Sequence, residues 1–249
     1  MADILLNNSI HLIRQFTSLN INSMRIFRWV NSIFTSNTYI LSNVNKKGIY
    51  VVDPGDSQPI LEWLNSSKNN LDGIFLTHAH FDHIYGLNDL LAQYPTCNLY
   101  ISTLMIDGLY SERLNTSQYH EKPYILNSNF SNNIRFLEER TQVMIWDENI
   151  VNVFFTPGHT LDSITLNINN YLFTGDALIP GVKIFNRNKK IGNDSILFSI
   201  EKIYSTNPAN SILLPGHGKE YILGESKNVE NFCKLEFGND FIEIHKAKL

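Results

Sequence analysis

Two cysteines, Cys97 and Cys233, are all that 249 residues contain, so no disulfide framework can form and no cysteine-based metal spacing exists. Each is expected to be a small buried hydrophobe, and a cytoplasmic location is the default expectation. Basic charge is not in excess: 20 Lys and Arg stand against 24 Asp and Glu, a formal net charge of −4, which argues against a dedicated nucleic-acid binder. No run approaches the roughly 18–20 continuous apolar residues of a membrane span. The opening MADILLNNSIHLIRQF carries Asp3 and no basic segment ahead of an apolar stretch, so it is not expected to be an export signal. Internal repeats and Pro/Gly/Ser-rich linkers are lacking too. With 43% apolar and 18% charged residues, the expectation is one globular domain over residues 1–249.

From residue 37 the chain alternates β-rich runs with helical stretches. NTYILSN and GIYVVDPG read as paired strands, the second stopped by Pro54-Gly55. SQPILEWLNSS reads as a helix with Ser57 as its cap, LDGIFLT as a buried strand, HIYGLNDLLAQY as a helix and NLYIS as a strand. The second half continues in the same style, with strands at VNVFFTPG, SITLNI and YLFTGD, a helix at SILFSIEKIYS, a strand at NSILLPG and a late helix at ESKNVENFCKLE. Such interleaving suggests layered sheets covered by helices. Residues 1–30, apolar with Arg14, Arg25 and Arg28, are expected to be an amino-terminal extension packed on the core. Residues 111–130 have no clear period and are expected to be a long loop, a candidate lid.

The densest chemistry lies in THAHFDH. His78 and His80 are spaced i, i+2, so extended backbone points both to one side, and Asp82 and His83 follow where the next helix begins. Three more apolar strands end in tight turns that each present one ligand-type residue: His159 in FFTPGHT, Asp176 in LFTGDA and His217 in LLPGHGKE. His11, His120 and His245 lack this context and are expected to have surface or packing roles. Imidazoles and carboxylates on rigid strand ends are what a divalent transition metal requires.

THAHFDH followed in order by PGHT, TGDA and PGHG resembles the metallo-β-lactamase-fold hydrolase superfamily, and looks closest to its glyoxalase II-like binuclear branch. The likeness runs from Asn37 to Gly218. It implies an α/β fold, a four-layer αββα sandwich, with the site at one edge between the sheets. It also implies that His78, His80 and His159 hold one metal and that Asp82, His83 and His217 hold a second, with Asp176 bridging both. Asp53, in VVDPG, would accept a hydrogen bond from a ligand imidazole and fix its tautomer. Two Zn2+ per chain are the expected cofactors, with iron or manganese as alternatives.

Two such ions can share a water and lower its pKa toward neutrality. The expected reaction is therefore hydrolysis of a small ester-like substrate, a thioester or lactone, by a hydroxide bridging the metals, with Asp82 and Asp176 as the catalytic carboxylates. The alternatives are a phosphodiesterase of the same fold and a mononuclear-iron persulfide dioxygenase. Secreted β-lactamases of the fold lack an aspartate equivalent to Asp176, so antibiotic hydrolysis is not expected. The flavodiiron branch has glutamate where His80 stands, and the nucleic-acid-processing branches add an RNA-binding arm that is not seen here. Glyoxalase II itself adds a carboxyl-terminal helical region, which is not expected here, since few residues follow PGHG. Lys183, Arg187, Lys189 and Lys190 follow Asp176; Lys183 first, then Arg187, are the candidate contacts to a substrate carboxylate or phosphate. PGHTLDS departs from the family's commoner P-G-H-T-P-G-S, so the turn carrying His159 has to be built without the second proline and glycine. A monomer or homodimer acting on a small molecule, with no nucleic acid and no membrane, completes the expectation.

Overall fold

The computed structural model describes residues 17–21, 23–184 and 193–225. The segment before residue 17, Arg187 with Lys189 and Lys190, Cys233, and all but the first residue of the expected late helix lie outside the described residues. The chain divides into two compact units. One comprises the described residues up to Ile101 together with Asp107–Arg135, the other Ser102–Ile106 and the described residues from Phe136 onward.

The first sheet has seven strands in chain order: β1 (Thr17–Ile21), β2 (Met24–Val30), β3 (Asn37–Asn43), β4 (Gly48–Val52), β5 (Asn70–Phe75), β6 (Asn98–Ser102) and β7 (Ile134–Leu137). The strands β1 to β4 pair antiparallel, whereas β4, β5 and β6 run parallel. Parallel neighbours need crossovers, and helix α1 (Ser57–Ser67) supplies the first, burying Ile60 and Leu64 one turn apart. Residues 24–30 form β2, which pairs along its whole length with β3. The sheet core is aliphatic and dry, with Ile40, Leu41, Ile49, Leu71 and Ile74 fully buried and Phe75 stacked on Tyr100.

Two local expectations need correction. Ser57 is the first residue of α1 and not its cap. The N-cap is Asp56, whose carboxylate accepts hydrogen bonds from the Ser32 amide at 2.7 Å and the Ser32 hydroxyl at 2.8 Å. The single helix expected over residues 83–94 is two, α2 (Phe81–Ile84) and α3 (Leu87–Gln93). The break falls at Gly86, whose amide donates to the Pro54 carbonyl at 2.9 Å instead of continuing the first helix. A Cβ there would lie 2.9 Å from the same carbonyl oxygen. Residues 111–130 hold only short 3-10 turns. They are nonetheless tied down: Asn115 donates to the Tyr124 carbonyl, the Tyr124 amide to the Ser117 hydroxyl, and the Phe81 amide to the Asn115 carbonyl. Burial pushes the Tyr124 phenol above its ordinary range.

The second sheet has six strands in the order β13-β12-β11-β10-β9-β8: β8 (Gln142–Ile145), β9 (Asn149–Phe155), β10 (Ile164–Ile168), β11 (Tyr171–Gly175), β12 (Ile212–Pro215) and β13 (Tyr221–Ile222). The β8–β9 turn places Trp146 and Asp147 at φ 55° and 65°, a conformation usually left to Asn and Gly, so the sequence gives little sign of this hairpin. Only β11 and β12 run parallel. Their crossover includes helix α4 (Asn193–Thr206), which packs Ile196, Ile200 and Ile203 on Leu172, Leu178, Ile184 and Leu213. Among the described residues no helix is long and apolar enough to cross a membrane.

Cys97 is buried as expected, and its thiol is pushed up to about 12, first by burial and second by nearby Asp72. With so little thiolate, iodoacetamide at pH 8 should leave Cys97 unlabelled in a folded Cys233→Ser chain and label it within minutes in urea. Rapid labelling of the folded chain, read by mass spectrometry, would contradict this.

Candidate metal centre

In each unit the candidate ligands emerge from the carboxyl ends of strands. In the first, β4 and β5 are parallel neighbours, so the residues that follow them, Asp53 and Thr77-His78, leave one edge of the sheet side by side. Asp53 is buried and sits at φ 52°, a left-handed conformation that a non-glycine residue holds only when its surroundings fix it. Here the Asp53 amide donates to the Phe75 carbonyl at 3.0 Å, and the Thr38 hydroxyl donates to the Asp53 carbonyl at 2.7 Å. Two residues on, Gly55 lies so close to the motif that a Cβ would meet the Asp82 carbonyl at 2.3 Å and the Asn31 amide at 2.4 Å. Only glycine permits that approach.

So positioned, the Asp53 carboxylate collects three partners. The Thr77 amide donates to Oδ1 at 2.8 Å, the Thr77 hydroxyl donates to Oδ2 at 2.6 Å, and His83 Nδ1 lies 3.2 Å from Oδ2. Since a carboxylate only accepts, His83 carries its proton on Nδ1 and turns Nε2 away from Asp53. The Thr77 hydroxyl has one proton, given to Asp53, so toward His78 it accepts. His78 Nδ1, 3.1 Å away, is the donor. One carboxylate therefore sets the tautomer of two imidazoles, directly for His83 and through Thr77 for His78. His78 stands 4.9 Å from His80 and 4.3 Å from His83, ring centre to ring centre. His83 Nε2 lies 3.4 Å from Asp82 Oδ2. His80 is the N-cap of α2, and Asp82 and His83 lie in its single turn.

In the second unit β9, β11 and β12 all point the same way, because β9 and β11 both pair antiparallel with β10 and β12 pairs parallel with β11. His159, Asp176 and His217 follow those three strands and meet at that edge. Asp176 Oδ2 lies 3.6 Å from His159 Nε2 and 3.5 Å from His217 Nε2. The His159 turn, lacking its second Pro-Gly, closes through hydroxyls: Thr160 and Ser163 share a 2.6 Å hydrogen bond, and the Thr156 amide donates to the Ser163 carbonyl. Ser199 of α4 donates to the Pro157 carbonyl at 2.6 Å. The Gly216 amide, donating to the Gly175 carbonyl at 2.8 Å, ties the Asp176 and His217 turns together.

This donor set fits divalent metal. Two donors bound about 2.0–2.2 Å from one tetrahedral ion lie roughly 3.3–3.6 Å apart. The pairs Asp82–His83, His159–Asp176 and His217–Asp176 have that spacing, at 3.4, 3.6 and 3.5 Å. A single oxygen of Asp176 faces both imidazoles, the arrangement a bridging carboxylate needs. Asp53, His78 and His83 also offer ligand-type atoms within 4.8 Å of one another; there Asp53 faces Nδ1, so its role is orientation.

A family model of the metallo-β-lactamase superfamily matches residues 32–217. The chain belongs to that superfamily. Its two mixed sheets with flanking helices have the superfamily's α/β sandwich fold, as expected from the motifs. A relative in this superfamily, the hydroxyacylglutathione hydrolase of Tolumonas auensis, is 28% identical over 173 residues, 69% of this chain and 57% of that protein. The chain thus spans little more than half the length of that curated relative. Among solved structures, the B3 metallo-β-lactamase BLEG-1 superposes with a TM-score of 0.71 at 26% identity, covering 81% of this chain and 95% of the other. The protein TTHA1623, solved in a di-iron-bound form, gives 0.65 at 23% identity, over 81% and 98%, a likeness of fold.

Lys183 lines a cavity of about 190 Å³ beside His159, Asp176 and His217. Arg187 lies outside the described residues. His120 packs on Phe81 and Tyr85, a packing role as expected. Sequence reasoning assigned no role to Thr77, although it stands inside the motif. The available signal was a polar residue closing an apolar strand next to the Asp53 strand. Replacing Thr77 by Val should lower metal affinity about ten- to a hundredfold, the usual cost of losing a ligand's outer partner, and Thr77→Ser should restore most of it. Chelator competition measures this, and unchanged affinity in Thr77→Val would rule out the relay to His78.

Proposed function

We propose that the chain is a binuclear metal-dependent hydrolase of a small ester-like substrate, a thioester or a lactone. His78, His80 and His159 serve one ion, and Asp82, His83 and His217 the other. Asp176 serves both. The observation that carries this reading is Asp176 Oδ2, a single oxygen at 3.5–3.6 Å from two imidazole nitrogens, each belonging to a different proposed ion. When bound, the two ions supply an activated water and polarise the substrate carbonyl. The protein's own part is to hold that geometry: Asp53 fixes His83 directly and His78 through Thr77, while Asp82 and Asp176 orient the water and balance the positive charge. Hydrolysis places hydroxyl on the acyl carbon and returns a proton to the departing sulfur or oxygen, so no serine or cysteine nucleophile is required.

Zinc is the metal we favour, on the nitrogen-rich donor set. The hydroxyacylglutathione hydrolase relative supports a thioester substrate, and Lys183, with Arg187 second, is our candidate for the substrate's anionic group. With only two cysteines in the sequence and a small-molecule site, a cytoplasmic enzyme is the setting that fits.

Protein purified without added metal should carry two zinc ions per chain by elemental analysis and hydrolyse a thioester or a lactone from a panel in which a phosphodiester and a chromogenic cephalosporin, the competing arms, are turned over poorly. A single iron accompanied by oxygen consumption would overturn hydrolysis. Asp176→Ala should lose metal from both positions and reduce kcat/KM by on the order of a hundredfold or more, beyond the loss of an outer partner. Retention of both metals with full turnover would overturn the bridging role.

A further inference from the structure

The cavity beside Asp176 has one charged wall and one aliphatic wall. His159, Asp176 and His217 form the first; Ile179, Val182 and Ile184 form the second, with Lys183 at the solvent-exposed rim. The aliphatic wall is firmly held. Ile184 and Leu178 are buried in the core under α4, the Thr174 hydroxyl donates to the Leu178 carbonyl at 2.8 Å, and the Val182 amide closes a turn onto the Ile179 carbonyl at 3.0 Å. Three branched aliphatic residues thus line the same cavity as three metal-type ligands.

Polarity restricts what fits. The three aliphatic side chains offer no hydrogen-bond partner, so a hydroxyl or amide seated against them would lose its water without compensation. The cavity, about 190 Å³, is open to solvent on one side, so it selects for an apolar group beside the metal-type ligands and sets no sharp limit on its length.

We propose that this cavity is an acyl pocket, and that the substrate's acyl part is an unsubstituted aliphatic chain, its carbonyl toward Asp176 and its tail against Ile179, Val182 and Ile184. This rests on the hydrolase reading above and narrows its substrate class from thioesters and lactones in general to those with an unsubstituted aliphatic acyl part.

The test uses the full metal-loaded chain and two separate readouts. The first is binding of straight-chain carboxylates from acetate to decanoate, the products of such hydrolysis, followed by NMR titration. Affinity should rise by up to about fourfold per methylene over the shorter members of the series. The second is kcat/KM for acyl thioesters of the same lengths, which should rise over the same members. Ile179→Phe fills the cavity and should lower the hexanoyl-to-acetyl ratio at least tenfold in both readouts. Val182→Trp, at a half-exposed position, makes the same test should Ile179→Phe not fold. Chain length without effect, or a ratio unmoved by both variants, would overturn the acyl pocket even if thioesters are turned over. Thioesters and lactones inert alike, alongside the expected carboxylate series, would instead remove the hydrolase reading and leave the pocket standing.

Discussion

Much of the candidate site hangs on one carboxylate. Asp53 sits in a left-handed conformation at the end of β4, held by the Phe75 carbonyl behind it and the Thr38 hydroxyl beside it. From there it receives the Thr77 amide, the Thr77 hydroxyl and His83 Nδ1. The backbone strain is offset by hydrogen bonds to a buried carboxylate, where such bonds are strong. The return is orientation. Two imidazoles that would otherwise choose between tautomers present the same nitrogen to the ligand side.

Both units solve the problem of gathering polar groups in the same manner. An apolar strand, buried along its length, cannot carry a ligand in its middle without burying an unsatisfied polar group. Its carboxyl end can, because the turn that follows brings its own donors and acceptors. The parallel pairs β4–β5 and β11–β12 make such ends neighbours, and the tight turns keep them short. Strand direction is thus what converts residues far apart in sequence into one edge: His159 and His217 are separated by a whole crossover helix yet face the same oxygen of Asp176.

The sequence made the strands that carry ligands legible, because they are short apolar runs, most of them ended by an abrupt Pro-Gly or Gly stop. The ligand residues were legible for the same reason. What stayed hidden depended on distant partners. Nothing near Gly86 says that its amide will bond to Pro54, so one expected helix became two. Trp146-Asp147 gave no hint of a turn with two left-handed residues, so β8 went unread. Thr77 looked like the last residue of a strand, and its relay emerges only from three distances. The aliphatic wall of Ile179, Val182 and Ile184 was legible as composition but not as a surface, since only the fold of the loop aims those side chains.

The turn that carries His159 has a consequence of its own. Proline and glycine restrict or permit backbone angles, and a proline acts largely by limiting the unfolded chain. Here Leu161 and Asp162 take those places, and the shape depends on the hydroxyls of Thr160 and Ser163 and on Ser199 reaching from α4. Such bonds exist only in the folded state and compete with water at every opening. Order in this loop therefore rests on hydroxyl contacts more than on restricted covalent geometry, which ties the stationing of His159 to the docking of α4 and makes Ser199, far along the chain, a part of what fixes a candidate ligand.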